Sequence, residues 1–182
     1  MNAVHHYTTT ARLAEILRTG AILPRTRSHC LDPYGVPEAV WFSATPVWEP
    51  ACSATVEIGP DGPLPAGVVP GRPFEAARIA VRESDTRPWD TGLLRCLTHW
   101  WVLWRLFNTG VELGSDPDEW RICLEPVPMS AWLAVEVWDG GNWVQLDGEA
   151  GTHTVETLAG MIGTSPADIG VPAEAGGRRE AV

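Results

Sequence analysis

Polar side chains at the ends of apolar, strand-like runs are the residues of this chain best placed for chemistry. His6-Tyr7-Thr8 closes one run, Ser43 closes a second, and Glu119 opens a third. Binding and catalytic groups are common where a chain leaves a rigid scaffold. A carboxylate at such a place can stabilise positive charge that develops on a substrate. Glu119 is therefore a candidate catalytic residue, with a plain acidic turn over 116–119 as the alternative.

Several chemistries are excluded by residue types that are missing or wrongly spaced. The chain has no Lys, which excludes Schiff-base chemistry and the lysine of phosphate-binding P-loops. It lacks the G-x-S-x-G elbow of hydrolases and the G-x-G-x-x-G loop of dinucleotide-binding folds. Its five His and four Cys show neither i, i+4 nor C-x-x-C spacing, so no metal site is expected.

The charge of the chain is unevenly distributed. Thirteen Arg against 23 acidic residues give a formal net charge of −10, which opposes generic binding to a phosphate backbone. Residues 1–30 hold four Arg and one Glu, a net charge of +3, so residues 31–182 carry −13. Arg12 and Arg18 fit the polar face of a helix, whereas Arg25 and Arg27 fall in a loop and are not explained in that way.

The elements that position these groups can be predicted from the residue pattern. Ala3–Tyr7 is a predicted strand, and the helix that follows is capped by one of the threonines at 8–10 and runs to about Arg18. Gly20 is the predicted helix stop. Further strands are predicted at 39–43, 76–81, 119–124, 131–138 and 142–146, the last two joined by the turn-forming Asp139-Gly140-Gly141.

A second helix is predicted over residues 90–107, because its apolar residues recur at spacings of three and four. Its bulky face is predicted to be core. That face consists of Leu93, Leu97, Trp100, Trp101, Trp104 and Phe107. A stacking platform for nucleic-acid bases is the alternative use of so many Trp side chains, but helical spacing favours packing.

The length and composition predict one domain, residues 1–150, followed by a C-terminal segment, residues 151–182. Residues 59–73 hold five Pro and four Gly, which predicts an exposed connector. The C-terminal segment is predicted to contain a short helix at 154–162 and a flexible tail from Pro172. With no secretory leader and no long apolar run, a cytoplasmic protein without membrane contact is expected.

Taken in order, the motifs of this chain resemble the ADP-ribosyltransferase (ART) superfamily. H-Y-T (His6-Tyr7-Thr8) precedes a helix that reads L-x-x-I-L-x-x-G, and V-W-F-S (Val40–Ser43) is followed by W-E-P (Trp48–Pro50). The segment Glu119–Pro128, in which a Glu opens a strand that runs into a Val-Pro turn, is similar to the DNA-targeting toxin transferases. A family of uncharacterised bacterial proteins shares H-Y-T, V-W-F-S and W-E-P. The resemblance covers about residues 4–146.

The resemblance implies a fold and a reaction. The fold would be α+β, a split mixed or antiparallel β-sheet core with flanking helices and an NAD cleft between the two half-sheets. Glu119 would bind the 2′-hydroxyl of the nicotinamide ribose and stabilise the oxocarbenium-like transition state as nicotinamide leaves. NAD would be the substrate, and no metal would be required.

The same resemblance implies a set of NAD-binding residues. His6, supported by Thr8, would hydrogen-bond the ribose or the nicotinamide side, and Ser43 would contact the ribose. An aromatic wall for the nicotinamide, supplied by Tyr7 or by Trp41 and Phe42, and a cation for the diphosphate complete the set. The full set of candidates is His6, Tyr7, Thr8, Trp41, Phe42 and Ser43, with Arg25 or Arg27 on the diphosphate and Arg78 either a structural ion-pair partner or a second site group.

The implied activity is mono-ADP-ribosyl transfer to a macromolecular acceptor, protein or nucleic acid, in a toxin or phage-conflict effector with an antitoxin or inhibitor as a possible partner. Pro117-Asp118 precedes Glu119 where arginine-modifying toxins have E-x-E or Q-x-E, which argues against protein-arginine modification. Two alternatives stay open. One is an RNA 2′-phosphotransferase-like enzyme, which should need clustered basic residues, and the other is a catalytically inactive ART-fold binding module.

Overall fold

A computed structural model describes residues 2–24, 38–53, 76–90 and 99–146 of the chain. The predicted connector at 59–73, the helix at 154–162 and the tail lie outside these described residues, as do Arg25, Arg27 and the domain boundary at residue 150. The described part combines helices with a largely antiparallel β-sheet. The coarse α+β prediction is therefore confirmed.

The first strand and helix, β1 (Ala3–Thr9) and α1 (Thr10–Thr19), form the unit that the sequence predicts. The side chain of Thr9 caps the helix by accepting a 3.3 Å hydrogen bond from the N–H of Arg12. Gly20 ends the helix with φ 69°, in the left-handed region that glycine adopts without strain. Leu13 and Leu17 of α1 are buried.

The other strands complete a seven-stranded sheet and a small two-stranded one. Their bounds are β2 (Ala21–Ile22), β3 (Val40–Ser43), β4 (Ala76–Arg82), β5 (Arg87–Pro88), β6 (Trp120–Cys123), β7 (Val127–Pro128), β8 (Trp132–Trp138) and β9 (Trp143–Gln145). The large sheet has the order β5-β6-β3-β1-β4-β8-β9, and β2 pairs with β7. Every pairing between described strands is antiparallel. The longer strands match the predicted runs within a few residues, whereas the two-residue strands were not predicted.

The central strands β3 and β4 of the large sheet are buried on both faces. Alternation along β1 places Val4 and His6 on one face and His5 and Tyr7 on the other. The Val4 face packs in an apolar cluster with residues of α1, including Leu13. The face that carries His5, here called the His5 face, is covered by clusters rich in Trp side chains.

The described helices are α1, a four-residue helix α2 (Pro50–Ser53), and α3 (Trp100–Glu112). The helix predicted at 90–107 is thus present in its second half and continues beyond the predicted end, while 91–98 lie outside the described part. Within the described ranges no helix is long and apolar enough to cross a membrane.

The prediction that the Trp face of α3 belongs to the core is wrong for Trp100, Trp104 and Phe107, whereas Trp101 is partly buried. Trp100 and Trp104 are 76% and 63% exposed, and Phe107 is exposed as well. The buried stripe instead contains Val102, with no exposed surface, and Gly110. Both stripes have helical spacing, so periodicity identifies the helix without showing which apolar stripe meets the sheet.

Gly110 allows α3 to approach β6 closely. A Cβ atom at this position would lie 2.5 Å from Cη2 of Trp120 and 3.0 Å from Cγ of Pro117. The carbonyl of Gly110 also accepts a 2.9 Å hydrogen bond from the N–H of Ser115. The end of α3 is therefore held tightly against the turn that leads into β6.

The predicted turn between β8 and β9 is confirmed. Gly140 has φ 107°, which requires glycine. The Oδ1 atom of Asp139 accepts hydrogen bonds from the N–H groups of Asn142 and Gly141, at 2.7 and 2.8 Å. These bonds, the one from Asn142 first, hold the pKa of Asp139 below its usual value.

Candidate active site

Glu119 lies where a short 3₁₀ turn passes into β6. Asp116 begins this turn by accepting a 3.1 Å bond from the N–H of Asp118 at its side chain and another of 3.1 Å from the N–H of Glu119 at its carbonyl. The carbonyl of Glu119 accepts a 3.1 Å bond from the N–H of Ala44. The backbone of Glu119 is thus held on both sides, while its side chain is exposed.

Two hydroxyl groups connect β3 to the carboxylate of Glu119. Ser43 Oγ donates to Thr45 Oγ1 over 3.0 Å, and Thr45 Oγ1 donates to Glu119 Oε2 over 2.9 Å. Ser43 Oγ in turn accepts a 3.1 Å bond from the N–H of Thr45, and Ser43 is fully buried. Of the two carboxylate oxygens of Glu119, Oε2 accepts a hydrogen bond from a described residue and Oε1 does not, so Oε1 is available to a ligand.

Tyr7 supports the same segment from β1. Its hydroxyl donates a short hydrogen bond to the backbone carbonyl of Thr45, and its ring meets that of Trp48 edge-on at 5.2 Å between centroids. Burial raises the pKa of Tyr7 to about 12, so the phenol keeps its proton at neutral pH and remains a donor. Within the described part of the chain, Tyr7 contributes to the site through its hydrogen bond to Thr45.

His6 and Thr8 lie on the sheet face opposite to Tyr7. Nδ1 of His6 is 2.9 Å from the carbonyl oxygen of Trp41, so this nitrogen donates, and the ring meets Phe42 edge-on at 5.9 Å. Both His6 and Thr8 are partly buried. Strand alternation directs both side chains away from Ser43 and Tyr7. The contacts of His6 and Thr8 with NAD stay predictions.

Trp41 and Phe42 are packed in the interior. They are 7% and 3% exposed, and they point to opposite faces of the sheet. Trp41 contacts the rings of Trp89 and Trp120, with centroids 6.3 and 6.1 Å away. Their proposed use as an aromatic wall for nicotinamide also stays a prediction.

Arg78 is a structural ion-pair partner, one of the two roles the sequence left open. Its Nε donates to Glu136 Oε2 over 2.6 Å, and the two residues face each other on β4 and β8. Its Nη1 donates to the carbonyl of Pro46, and its guanidinium lies 4.5 Å from the centre of the Trp143 ring. Arg78 therefore anchors the chain just after Thr45 to the sheet.

A small cavity lies on the His5 face of the sheet, beside the site. Its lining includes His5, Ser43, Glu49 and Trp120. His5, Ser43 and Trp120 follow one another across neighbouring strands, since Ser43 is the register partner of both. Burial, and then the positive charge of Arg78, lower the pKa of His5 to about 4, so its imidazole is neutral at pH 7.

Glu49, from the W-E-P motif, is 2% exposed and belongs to this cavity. Its Oε1 accepts hydrogen bonds from Ser115 Oγ and from the N–H of Ala51, the latter at 3.2 Å. The N–H of Ala51 also donates to Ser115 Oγ over 2.9 Å. Glu49 therefore joins the segment after β3 to the turn that precedes Glu119.

Two participants were not among the residues that the sequence singled out for a role, namely Thr45 and Glu49. Thr45 lies two residues beyond the end of β3, where a second hydroxyl next to Ser43 is the only signal. Glu49 is a charged residue between Trp48 and Pro50, and burial of such a residue is rare unless it is paired. Arg25 and Arg27 lie outside the described residues.

No three His, Cys, Asp or Glu side chains lie close enough to hold a metal ion within the described ranges. No protein-family model and no curated protein matches the chain. Among solved structures, the chain is similar to DarT of Thermus sp. 2.9 in complex with ADP-ribosylated ssDNA, with 12% identity, 89% of each chain covered and a TM-score of 0.45. A likeness this weak carries no conclusion about fold family or activity.

Proposed function

We propose that this protein is an NAD-dependent mono-ADP-ribosyltransferase in which Glu119 is the catalytic residue. The observation that carries the proposal is the placement of Glu119 at the start of β6, exposed, with one carboxylate oxygen held by Thr45 and the other available. The resemblance of the motifs to the ADP-ribosyltransferase superfamily implies a catalytic Glu at this position. A fixed carboxylate is suited to a charge that develops only in the transition state.

The proposed reaction begins with cleavage of the bond between the ribose C1′ and the nicotinamide nitrogen. The bonding electrons leave with nicotinamide, which becomes neutral, and positive charge develops on the sugar. The free oxygen of Glu119 accepts a hydrogen bond from the ribose 2′-hydroxyl and stabilises that charge. A nucleophilic oxygen or nitrogen of the acceptor then attacks C1′ and releases its proton to solvent.

The remaining features of the proposal concern NAD binding and the cleft. Ser43 is the NAD-binding candidate that lies beside Glu119, through Thr45. β1 and β3 pair through one register pair, His5 and Ser43. Such a short pairing is consistent with the proposed division of the sheet between these two strands. A diphosphate site at Arg25 or Arg27, and an effector role with an antitoxin or inhibitor partner, belong to the same proposal.

The test compares Glu119→Gln with Glu125→Gln, an exposed glutamate just beyond β6. Nicotinamide release from NAD is measured for the wild type and both variants, and transfer is followed with labelled NAD in a cell lysate. Loss of one preorganised catalytic contact reduces turnover by about 10²–10³-fold, so Glu119→Gln should lose that much and Glu125→Gln should be unaffected.

The lysate experiment also identifies the acceptor, because the label enters protease-sensitive or nuclease-sensitive material. Full activity in Glu119→Gln would show that the catalytic assignment is wrong. If calorimetry detects NAD binding but no nicotinamide is released, the protein is a binding module and not a transferase. Label in neither fraction together with absence of NAD binding would end the proposal.

A further inference from the structure

Three buried polar atoms on the His5 face have no hydrogen-bond partner among the described residues. They are Nδ1 of His5, Oε2 of Glu49 and Nε1 of Trp120. Their residues are 9%, 2% and 5% exposed, and all three line the same cavity. Folded proteins leave few buried polar groups unpaired, because each one loses its bonds to water. Three such atoms on residues that line one cavity indicate a shared partner.

The hydrogen-bonding chemistry of the three groups is complementary to one small molecule. The indole N–H of Trp120 can only donate, and the carboxylate oxygen of Glu49 can only accept. His5 is neutral at pH 7, so one of its ring nitrogens accepts. With Nδ1 as that nitrogen, the cavity presents one donor and two acceptors. A water molecule accepts from one group and donates to two others.

The size and rigidity of the cavity fit the same ligand. The cavity has a volume of about 10 Å³, about what one water molecule requires. Glu49 cannot easily turn away, since its other oxygen accepts hydrogen bonds from Ser115 and Ala51. His5 and Trp120 are fixed by their strands, where both are aligned with Ser43.

We propose that Glu49, His5 and Trp120 form a binding site for one ordered water molecule, which accepts from the indole of Trp120 and donates to Glu49 and His5. This water links β1, β6 and the segment after β3 beside Ser43, which also lines the cavity. It supplements the single register pair that joins β1 to β3. The water site stands whether or not the protein is a transferase.

The direct test is a high-resolution crystal structure of the full chain, with NMR detection of magnetisation transfer from water to the indole N–H of Trp120. The expected result is one water oxygen at hydrogen-bond distance, about 2.7–3.2 Å, from all three atoms, with a cross-peak at that indole. A cavity without water density, or direct bonds among the three side chains, would overturn the proposal.

A pair of matched variants tests the energetic consequence. Trp120→Phe removes the indole donor, and Trp89→Phe makes the same change in a neighbouring Trp that is equally buried in the same cluster. If the water is bound, Trp120→Phe should raise the unfolding equilibrium constant roughly fivefold more than Trp89→Phe, the scale of one hydrogen bond. If the indole is unpaired, its removal relieves a buried donor, and Trp120→Phe should be as stable as the control or more so, which would count against the water.

Discussion

Thr45 Oγ1 donates a 2.9 Å hydrogen bond to Glu119 Oε2, and the two residues are 74 positions apart in the chain. The bond joins the segment that leaves β3 to the turn that enters β6. Because Tyr7 and Ser43 hold Thr45 from β1 and β3, the orientation of the Glu119 carboxylate depends on three strands of the sheet. Thr45 therefore connects the sheet to the carboxylate of the candidate catalytic residue Glu119.

Thr45→Val should reduce nicotinamide release about tenfold and lower the free energy of unfolding by about 1–3 kcal/mol, because the buried Ser43 hydroxyl loses its acceptor. Valine has nearly the shape of threonine but cannot donate the hydrogen bond to Glu119. A hydrogen bond to a charged group contributes about 1.5–3 kcal/mol. Without it, the Glu119 carboxylate loses its fixed orientation. The measurement is kcat and KM for NAD, with Thr109→Val on exposed α3 surface as the control. An unchanged kcat in Thr45→Val would show that this contact is not needed.

The stability of the protein should fall as the pH is lowered from about 6.5 to 4. His5 has a folded-state pKa of about 4, depressed by burial and by Arg78 and partly restored by Glu136. Between these two values the unfolded chain binds a proton that the folded chain does not, so acid favours unfolding. The contribution is on the order of 2 kcal/mol after allowance for solvent screening.

Chemical denaturation at several pH values measures this dependence. In His5→Gln the part of the slope between pH 4 and 6.5 that belongs to His5 should disappear. The exposed His99→Gln variant is the control, and it should keep the wild-type profile. Identical profiles for all three proteins would contradict the assignment to His5.

Gly110→Ala should destabilise the protein by about 1–3 kcal/mol, even though alanine favours an isolated helix by about 1 kcal/mol over glycine. The added methyl group would meet Trp120 at 2.5 Å and force α3 and β6 apart. Thermal or denaturant unfolding measures the loss. Thr109→Ala, one position earlier on the exposed side, should change stability by less than about 0.5 kcal/mol, and equal effects would argue against the close packing.

The two apolar stripes of α3 should respond differently to truncation. Val102→Ala removes side-chain volume from the fully buried stripe and should cost about 2 kcal/mol. Trp104→Gln, on the exposed stripe, should change stability by less than about 0.5 kcal/mol. Urea unfolding of both variants provides the comparison. A larger loss in Trp104→Gln would mean that the Trp stripe is covered after all.

Local features of this chain could be read from short stretches of sequence. The Thr9 cap, the Gly20 stop and the Asp139-Gly140-Gly141 turn depend on backbone geometry that a few neighbouring residues specify. Glu119 at a strand start belongs to the same class, because the acidic turn and the apolar run that follows it are contiguous. These features needed no contact between distant parts of the chain.

Other features depend on contacts that no local pattern contains. Periodicity could not choose between the two stripes of α3, because the choice depends on Gly110 fitting against Trp120. The bond from Thr45 to Glu119 and the placement of Glu49 against Ser115 arise only when β3 pairs with β6. Side-chain register is set by such long-range pairing, and a shift of one residue would turn every side chain to the other face. The nature and position of Glu119 are therefore visible in the amino-acid order, whereas its hydrogen-bond partner and the cavity beside Ser43 result from the assembled sheet.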